Sequence, residues 1–417
     1  MKRSLITDFS LLKHNRHFRD VFIARTVSLL TIGMLVVAIP QQVFQLTHDS
    51  LQVAIAMACE GIAMFVGLLF GGLLADRYDR KRLILLARSL CAFGFMGLAV
   101  NAMLTEPHLA TIYALSIWDG FFGAIGVTAM MSVMPMIVGR ENLLQARAIS
   151  MVAVRLATVI SPAVGGILIA STGVVATFWV ATIGTVLTVL LLLNLPSLKP
   201  KLDLDRKAFS PLKQLWQGIE FLLQHKVVGG TVLIGTVLTF SSAIRITFPA
   251  LIEDVFHAGA FELGLLYSAV PLGATLGALF SGWVAALQRP GQTMLYACLG
   301  TFACFILMGC ITQLSFALAI LVVFGYLMAV ANLLQYTIVQ GHTPDEYLGR
   351  INAIWLAQDA SGDAVATSAL GVLGKLTSLT QSLVTFGTVS LLIGLLAVFK
   401  FESVQKAPLQ DPSLSVD

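Results

Sequence analysis

Charge is scarce in this 417-residue chain: 12% of its residues are Asp, Glu, Lys or Arg, 57% are hydrophobic, and the mean hydropathy is +0.87. Too few polar groups exist to cover a globule of that length in water, which excludes a soluble globular protein. The fitting solvent is lipid, where each spanning helix needs about 20 apolar residues. Cysteine is scarce as well. Cys59, Cys91, Cys298, Cys304 and Cys310 all lie inside apolar runs and form no Cys-x-x-Cys, so they read as buried hydrophobes and not as disulfides or metal ligands. No His-Glu-x-x-His and no Walker-type Gly-Lys-Ser/Thr occurs, which argues against an ATP motor in the same chain. No metal, cofactor or nucleic-acid partner is expected. The first 20 residues are polar and basic with no separate apolar region before the first long run, so no cleavable signal peptide is expected.

What is present is a series of long apolar runs. They predict twelve helices at 21–44, 51–75, 83–104, 109–138, 145–170, 173–195, 227–251, 262–287, 292–312, 315–340, 350–374 and 381–400. Lys and Arg are distributed unevenly between their loops. The leading segment carries Lys2, Arg3, Lys13, Arg16 and Arg19, and the even-numbered loops carry Arg77 to Arg82, Arg140, Arg289 and Arg350. The connector 196–226 carries Lys199, Lys201, Arg206, Lys207, Lys213 and Lys226. The odd-numbered loops carry only Lys375. By the positive-inside rule both termini are cytoplasmic and the number of spans is even. The connector, punctuated by Pro196, Pro200 and Pro211, separates an N-terminal six-helix bundle (1–195) from a C-terminal one (227–417) and predicts a short surface helix around 212–224.

The halves repeat. Gly67–Ala75 aligns with Gly277–Ala285, so that Phe70 meets Phe280, Gly72 meets Gly282 and Ala75 meets Ala285, with Ala286 at the place of Asp76. Pro40 late in span 1 corresponds to Pro249 late in span 7, and Glu141–Leu144 resembles Asp345–Leu348. Two such halves predict a substrate path between them near the midplane, with alternating access.

Ionisable residues inside spans cost several kcal/mol unless paired or hydrated, so each is a functional candidate. Asp359 and Asp363 stand four apart on one helix face. Two close carboxylates rarely both ionise in low dielectric, so the pair reads as a proton-binding site, or else as partners of an Arg or of backbone groups. Asp119 and Glu60 both lie about 15 Å from the outer face by helix rise and are further proton-coupling candidates. Arg155 and Arg245 would give a cavity positive potential suited to an anionic or hydroxyl-rich aromatic ligand, or would neutralise the buried acids. Arg25 reads as an interfacial anchor. Trp118, Phe122, Tyr336 and Trp355 are aromatic candidates to line that cavity.

Residues 67–82 end an apolar, Gly-rich helix abruptly in Ala-Asp-Arg-Tyr-Asp-Arg-Lys-Arg. The stretch resembles the signature loop between spans 2 and 3 of the major facilitator superfamily. Gly72, Asp76, Arg77, Arg80 and Lys81 fill its places, and Asp79 stands where the pattern has Gly. Ser161-Pro162-Ala-Val-Gly165-Gly166 resembles the antiporter motif of the same superfamily, with Ser161, Ala157 and Ala148 in place of its earlier glycines. Asp119 takes the place of the Arg in the family's span-4 motif, so a coupling role for that Arg does not carry over. The resemblance implies an all-α fold of twelve transmembrane helices in two pseudo-symmetric bundles, a conformational latch at the span 2–3 loop, and export by exchange.

A narrower resemblance runs through Phe65–Leu68, Gly71–Tyr78, Leu85–Arg88, Trp118–Phe122, Val138–Leu143, Leu333–Thr337 and Leu348–Asn352. It is to the catecholate-siderophore exporters of that superfamily. It implies a monomeric, proton-driven carrier of an iron-free catecholate siderophore in a bacterial inner membrane, with protons and the bilayer as its other partners. Composition and spacing support only a twelve-span carrier with acids in its interior. A multidrug or macrolide antiporter would use the same residues. An intramembrane aspartyl enzyme lacks the expected sequence contexts at Trp118-Asp119 and Gly362-Asp363, so no enzyme is expected. A scaffold should tolerate neutralising the buried acids, and a proton-coupled carrier should not.

Overall fold

Apolar helices form here without competition, because a backbone polar group in lipid must be satisfied within its own segment. Gly173 and Pro249 mark two places where that helical regularity is interrupted. The computed structural model describes residues 9–139, 141–199 and 211–409. Arg140 and the linker residues Lys201, Arg206 and Lys207 lie outside the described residues, as do the side chains of Asp76 and Lys213.

The short helix α1 (Ser10–His14) precedes α2 (Arg16–Thr47), α3 (Ser50–Arg77), α4 (Arg80–Ala102), α5 (Leu109–Val138) and α6 (Leu143–Leu192). After the linker come α7 (Pro211–Gln224) and α8 (Lys226–Thr239), a 3-10 turn over Phe240–Thr247, α9 (Phe248–Ala250) and a π-helical turn over Leu251–Val255. Next are α10 (Ala260–Leu279), a second 3-10 turn over Gly282–Ala286, α11 (Pro290–Met308), α12 (Leu314–Gly341), α13 (Asp345–Leu376), α14 (Leu379–Lys400) and α15 (Glu402–Lys406). No strand occurs among the described residues. Among the described residues, ten helical stretches are long and apolar enough to cross a membrane. One of them, α6, is broken at Gly173 by φ 84 and ψ 173, at the boundary expected between spans 5 and 6. The more charged α13 covers the eleventh expected span, so every one of the twelve runs maps to helix.

Two expected spans are less regular than their sequence suggests. In span 7, Pro249 has no N–H to give to the Arg245 carbonyl, and the Phe248 N–H donates to it in the tighter i→i−3 pattern. The hydroxyls of Ser241, Ser242 and Thr247 each donate to a carbonyl three residues back, which fits that tightened turn. Span 8 was expected to run to 287, but α10 stops at Leu279 and the chain resumes as a 3-10 turn.

The chain forms two compact units. Unit 1 is Met1–His48, Ile55–Leu204 and Ala258–Ser268; unit 2 is Asp49–Ala54, Asp205–His257 and Ala269–Asp417. Within unit 1, α2 packs on α6, and α4 packs on α5 and α6. Within unit 2, α11 packs on α12 and α14, and α13 packs on α7, α8, α14 and the first 3-10 turn. Each unit takes in a short piece from the other half of the sequence. Ala260 and Gly264 belong with Pro162 and Gly166, where a Cβ on Gly166 would lie 2.6 Å from the Ala260 carbonyl oxygen. Leu51 and Ala54 belong with Gly371, where an added Cβ would lie 2.7 Å from the Ala54 Cβ.

The repeat is visible atom by atom. A Cβ on Gly67 would meet the Phe121 carbonyl at 2.3 Å and the Ala124 Cβ at 2.9 Å; one on Gly277 would meet the Tyr326 carbonyl at 3.1 Å and the Ala329 Cβ at 2.9 Å. Gly120 approaches the Glu60 carbonyl as Gly325 approaches the Val270 carbonyl. His48 and His257, each eight residues beyond the matched prolines, are both left-handed, at φ 46 and φ 49. Gly72 and Gly282 match too, but neither missing Cβ faces a neighbour, so the close packing expected of the span 2 glycines falls to Gly67 and Gly71.

Candidate functional site

Ionisable side chains gather at one place in each unit. In unit 2 the tightened turn of span 7 brings Arg245 to α13. Arg245 Nη2 lies 3.1 Å from Asp363 Oδ1, and its Nε donates to the Ser242 carbonyl at 3.1 Å. The Ser242 hydroxyl also contacts the same Asp363 oxygen, sharing its one proton between that oxygen and the Thr239 carbonyl. Gly362 makes the approach possible, since a Cβ there would lie 2.1 Å from the Thr239 hydroxyl. Asp359, one turn earlier on α13, is exposed, and its charge is felt by both Asp363 and Arg245. The structure therefore pairs two of the expected residues, Arg245 and Asp363, and leaves Asp359 within electrostatic reach of both. Tyr336 and Trp355 face each other at 5.9 Å between ring centroids.

In unit 1, α4 and α5 enclose a second polar cluster. Asp119 is buried, the Cys91 thiol is its hydrogen-bond partner, and the charge of Arg88 acts on it. Arg88 is also buried and its Nε has no hydrogen-bond partner. Sequence reasoning missed Arg88 and Cys91. The available signal was an arginine more than two turns inside the helix, masked by the three basic residues, Arg80, Lys81 and Arg82, on which the same helix opens. Glu60 reaches the same level, since its carbonyl packs against Gly120 beside Asp119. Arg25 is not at a helix end: it lies well inside α2, half-buried, and its charge acts on Arg88. Trp118 donates its indole N–H to the Leu90 carbonyl at 2.8 Å and packs on Phe122 at 4.6 Å, so both aromatics serve the α4–α5 contact. Arg155 is exposed on α6.

At the span 2–3 loop, Arg80 holds α5 through the Ser132 carbonyl at 3.0 Å and closes α3 through the Ala75 carbonyl at 3.2 Å. Asp79 caps α4, accepting from the Lys81 N–H at 2.9 Å, and also accepts from the Ser197 hydroxyl and the Leu198 N–H. Partial burial pushes the Asp79 carboxyl up, but the hydrogen bonds from Ser197, Leu198, Lys81 and Arg82 outweigh it and hold the group below its ordinary value. Arg77 closes the last turn of α3. In the antiporter-like stretch, Ser161 packs where a Cβ on Gly33 would sit, Gly165 lies against Met34, and Gly166 against Gly264.

Long apolar helices in two matched repeats, each holding ionisable groups within its helices, define a polytopic membrane transporter. The chain matches the Major Facilitator Superfamily over residues 21–367 and again over 230–414, and it belongs to that superfamily. It is 45% identical over 414 residues to a protein of Escherichia coli described as Enterobactin exporter EntS, and to the same protein of Shigella boydii, covering 99% of each chain. Among solved structures it resembles the nucleoside transporter NupG at TM-score 0.77 and 11% identity, covering 93% of this chain and 99% of that one. It also resembles a POT family transporter in complex with 5-aminolevulinic acid at TM-score 0.71 and 14% identity, covering 96% and 98%. At these identities the structural likeness is one of fold.

Proposed function

We propose that this transporter exports an iron-free catecholate siderophore of the enterobactin type across a bacterial inner membrane, exchanging it for protons. The observation that carries the substrate is the 45% identity over 99% of both chains to the enterobactin exporters. Catechol rings carry hydroxyls and a π face. Arg245, Tyr336 and Trp355 offer a guanidinium and aromatic rings suited to them, and the exposed Arg155 offers a second guanidinium.

The proposed coupling is electrostatic. While Asp363 is charged it holds Arg245; a proton arriving on Asp359 or Asp363 removes that hold and frees the guanidinium for ligand. Asp119 and Glu60 supply a second place for a proton in unit 1. Asp76, Arg77, Arg80 and Lys81 act as the latch of alternating access, and the helix contact at Ser161–Gly166 limits leakage. In this reading both termini face the cytoplasm, which the Lys/Arg distribution supports, and one chain suffices.

The test is uptake of iron-free enterobactin into inside-out membrane vesicles with and without an acid-inside pH gradient. Gradient-dependent uptake that requires this protein is expected. Gradient-dependent uptake of a cationic dye or macrolide, with none of enterobactin, would reassign the substrate. Uptake indifferent to the gradient would remove the proton.

A further inference from the structure

Helix α7 has three distinct sides. At 3.6 residues per turn, Gly218, Phe221 and Leu222 share one side, and that side is docked within unit 2. A Cβ on Gly218 would lie 2.6 Å from the Ile354 side chain, the Phe221 ring stacks on Tyr347 at 4.7 Å, and the Leu222 carbonyl presses on Gly229. Gln217, Glu220 and Gln224 form a polar side. Opposite the docked side, Trp216, Ile219 and Leu223 form a single stripe, 69%, 40% and 82% exposed. A helix held in place on one side while it presents a tryptophan and two aliphatics on the other is built for an apolar or interfacial neighbour.

We propose that α7 lies on the membrane surface, with Trp216, Ile219 and Leu223 inserted at the headgroup level of an acidic-lipid leaflet. Two observations choose lipid over a protein partner. First, His225 alone separates α7 from α8, which opens the membrane-crossing stretch Lys226–Val255. One residue spans at most about 3.6 Å, so the end of α7 stays at the bilayer edge, where tryptophan is favoured. Second, the connector 196–226 carries Lys199, Lys201, Arg206, Lys207, Lys213 and Lys226 against Asp203, Asp205 and Glu220. That excess of positive charge complements an acidic surface. The docked side gives the contact a consequence. Phe221 and Leu222 join the apolar cluster of Val228, Val232, Val339 and Ile351 that also takes in Tyr347 and Trp355. The leaflet thus reaches, through α7, the helix that carries Asp359 and Asp363. The proposal holds whichever substrate is carried.

The test places a nitroxide on full-length protein through Trp216→Cys, Gln217→Cys, Ile219→Cys, Glu220→Cys or Leu223→Cys, with the native protein as the blank for its own cysteines. The protein is reconstituted in phosphatidylcholine vesicles with and without phosphatidylglycerol. At 216, 219 and 223, dissolved oxygen should relax the label several-fold more than a water-soluble nickel chelate does, and phosphatidylglycerol should widen that ratio. At 217 and 220 the order should reverse. Chelate access at all five positions overturns the proposal, and so does exclusion of both reagents at 216, 219 and 223, which is the mark of a protein cover. A ratio indifferent to phosphatidylglycerol overturns the preference for acidic lipid.

Discussion

Arg245 and Asp363 meet at 3.1 Å because each comes from a local irregularity: the guanidinium from a turn tightened beside Pro249, the carboxylate from a helix brought close by Gly362. The side chains are 38% and 33% exposed, so water weakens the pair relative to a fully buried one. Asp363→Asn should cost about 1–2 kcal/mol, between the surface and buried limits. Arg245→Gln in that background should recover part of the loss. A melting experiment on the double-mutant cycle in detergent reads the coupling; purely additive effects would show that the contact carries no energy.

Gly166 and Gly264 allow α6 and α10 to touch through their backbones, and a Cβ on Gly264 would lie 2.6 Å from the Pro162 carbonyl oxygen. That neighbour is backbone and cannot rotate away. Gly264→Val should therefore destabilise unit 1 by about 1–3 kcal/mol and lower transport. Gly72→Val should cost far less, since nothing lies within 4 Å of its missing Cβ. Equal melting temperatures for the two variants would contradict the contact.

Asp79 has replaced the glycine of the family's loop and ties α4 to the residues that follow α6. Asp79→Ala should cost about 1 kcal/mol as a lost cap. The sign of its pH dependence follows from the direction of the shift. The folded-state carboxyl is held below its ordinary value, so its contribution is complete above the unfolded value of about 3.9 and is lost as pH falls through the folded one. The gap between wild type and Asp79→Ala should be constant from neutral pH down to mild acid and should close below that range. A gap that opened on acidification would reverse the assignment.

The fold was legible because lipid leaves helix as the main option and because Gly67, Gly277, Pro40 and Pro249 mark equivalent places in the two halves. The left-handed histidines and the matched glycine contacts could not be read in advance, since they depend on which atoms meet. The site was legible only in part. Asp359, Asp363 and Arg245 stood out as charges inside apolar runs, but their pairing depends on the turn beside Pro249. Arg88 was hidden among the basic residues that open its helix. The repeat also shows what one half lacks. The register that carries Gly67 to Gly277 carries Glu60 to Val270, and the register that carries Phe121 to Tyr326 carries Asp119 to Phe324. The acids of unit 1 thus have no equivalents at those positions in unit 2, whose acids sit on α13 instead.

That asymmetry makes Asp119 a sharp test of what its partner does. Arg88 is buried with its Nε unbonded, and Asp119 is a buried carboxyl on the facing helix whose charge acts with it. A buried guanidinium stripped of its counter-charge is expensive. Asp119→Asn should therefore destabilise unit 1 by about 3 kcal/mol, and Arg88→Gln added to it should restore part of that loss while leaving gradient-driven transport absent. The same change made alone, as Arg88→Gln, should destabilise less, because a carboxyl can take up a proton and a guanidinium cannot give one up. Melting curves for the four proteins, alongside vesicle transport, separate the roles. An Asp119→Asn protein that melts like wild type would mean the carboxyl rests neutral and Arg88 is balanced elsewhere. An Asp119→Asn protein that still follows the gradient would remove Asp119 from the coupling and leave the acids of α13 to carry it.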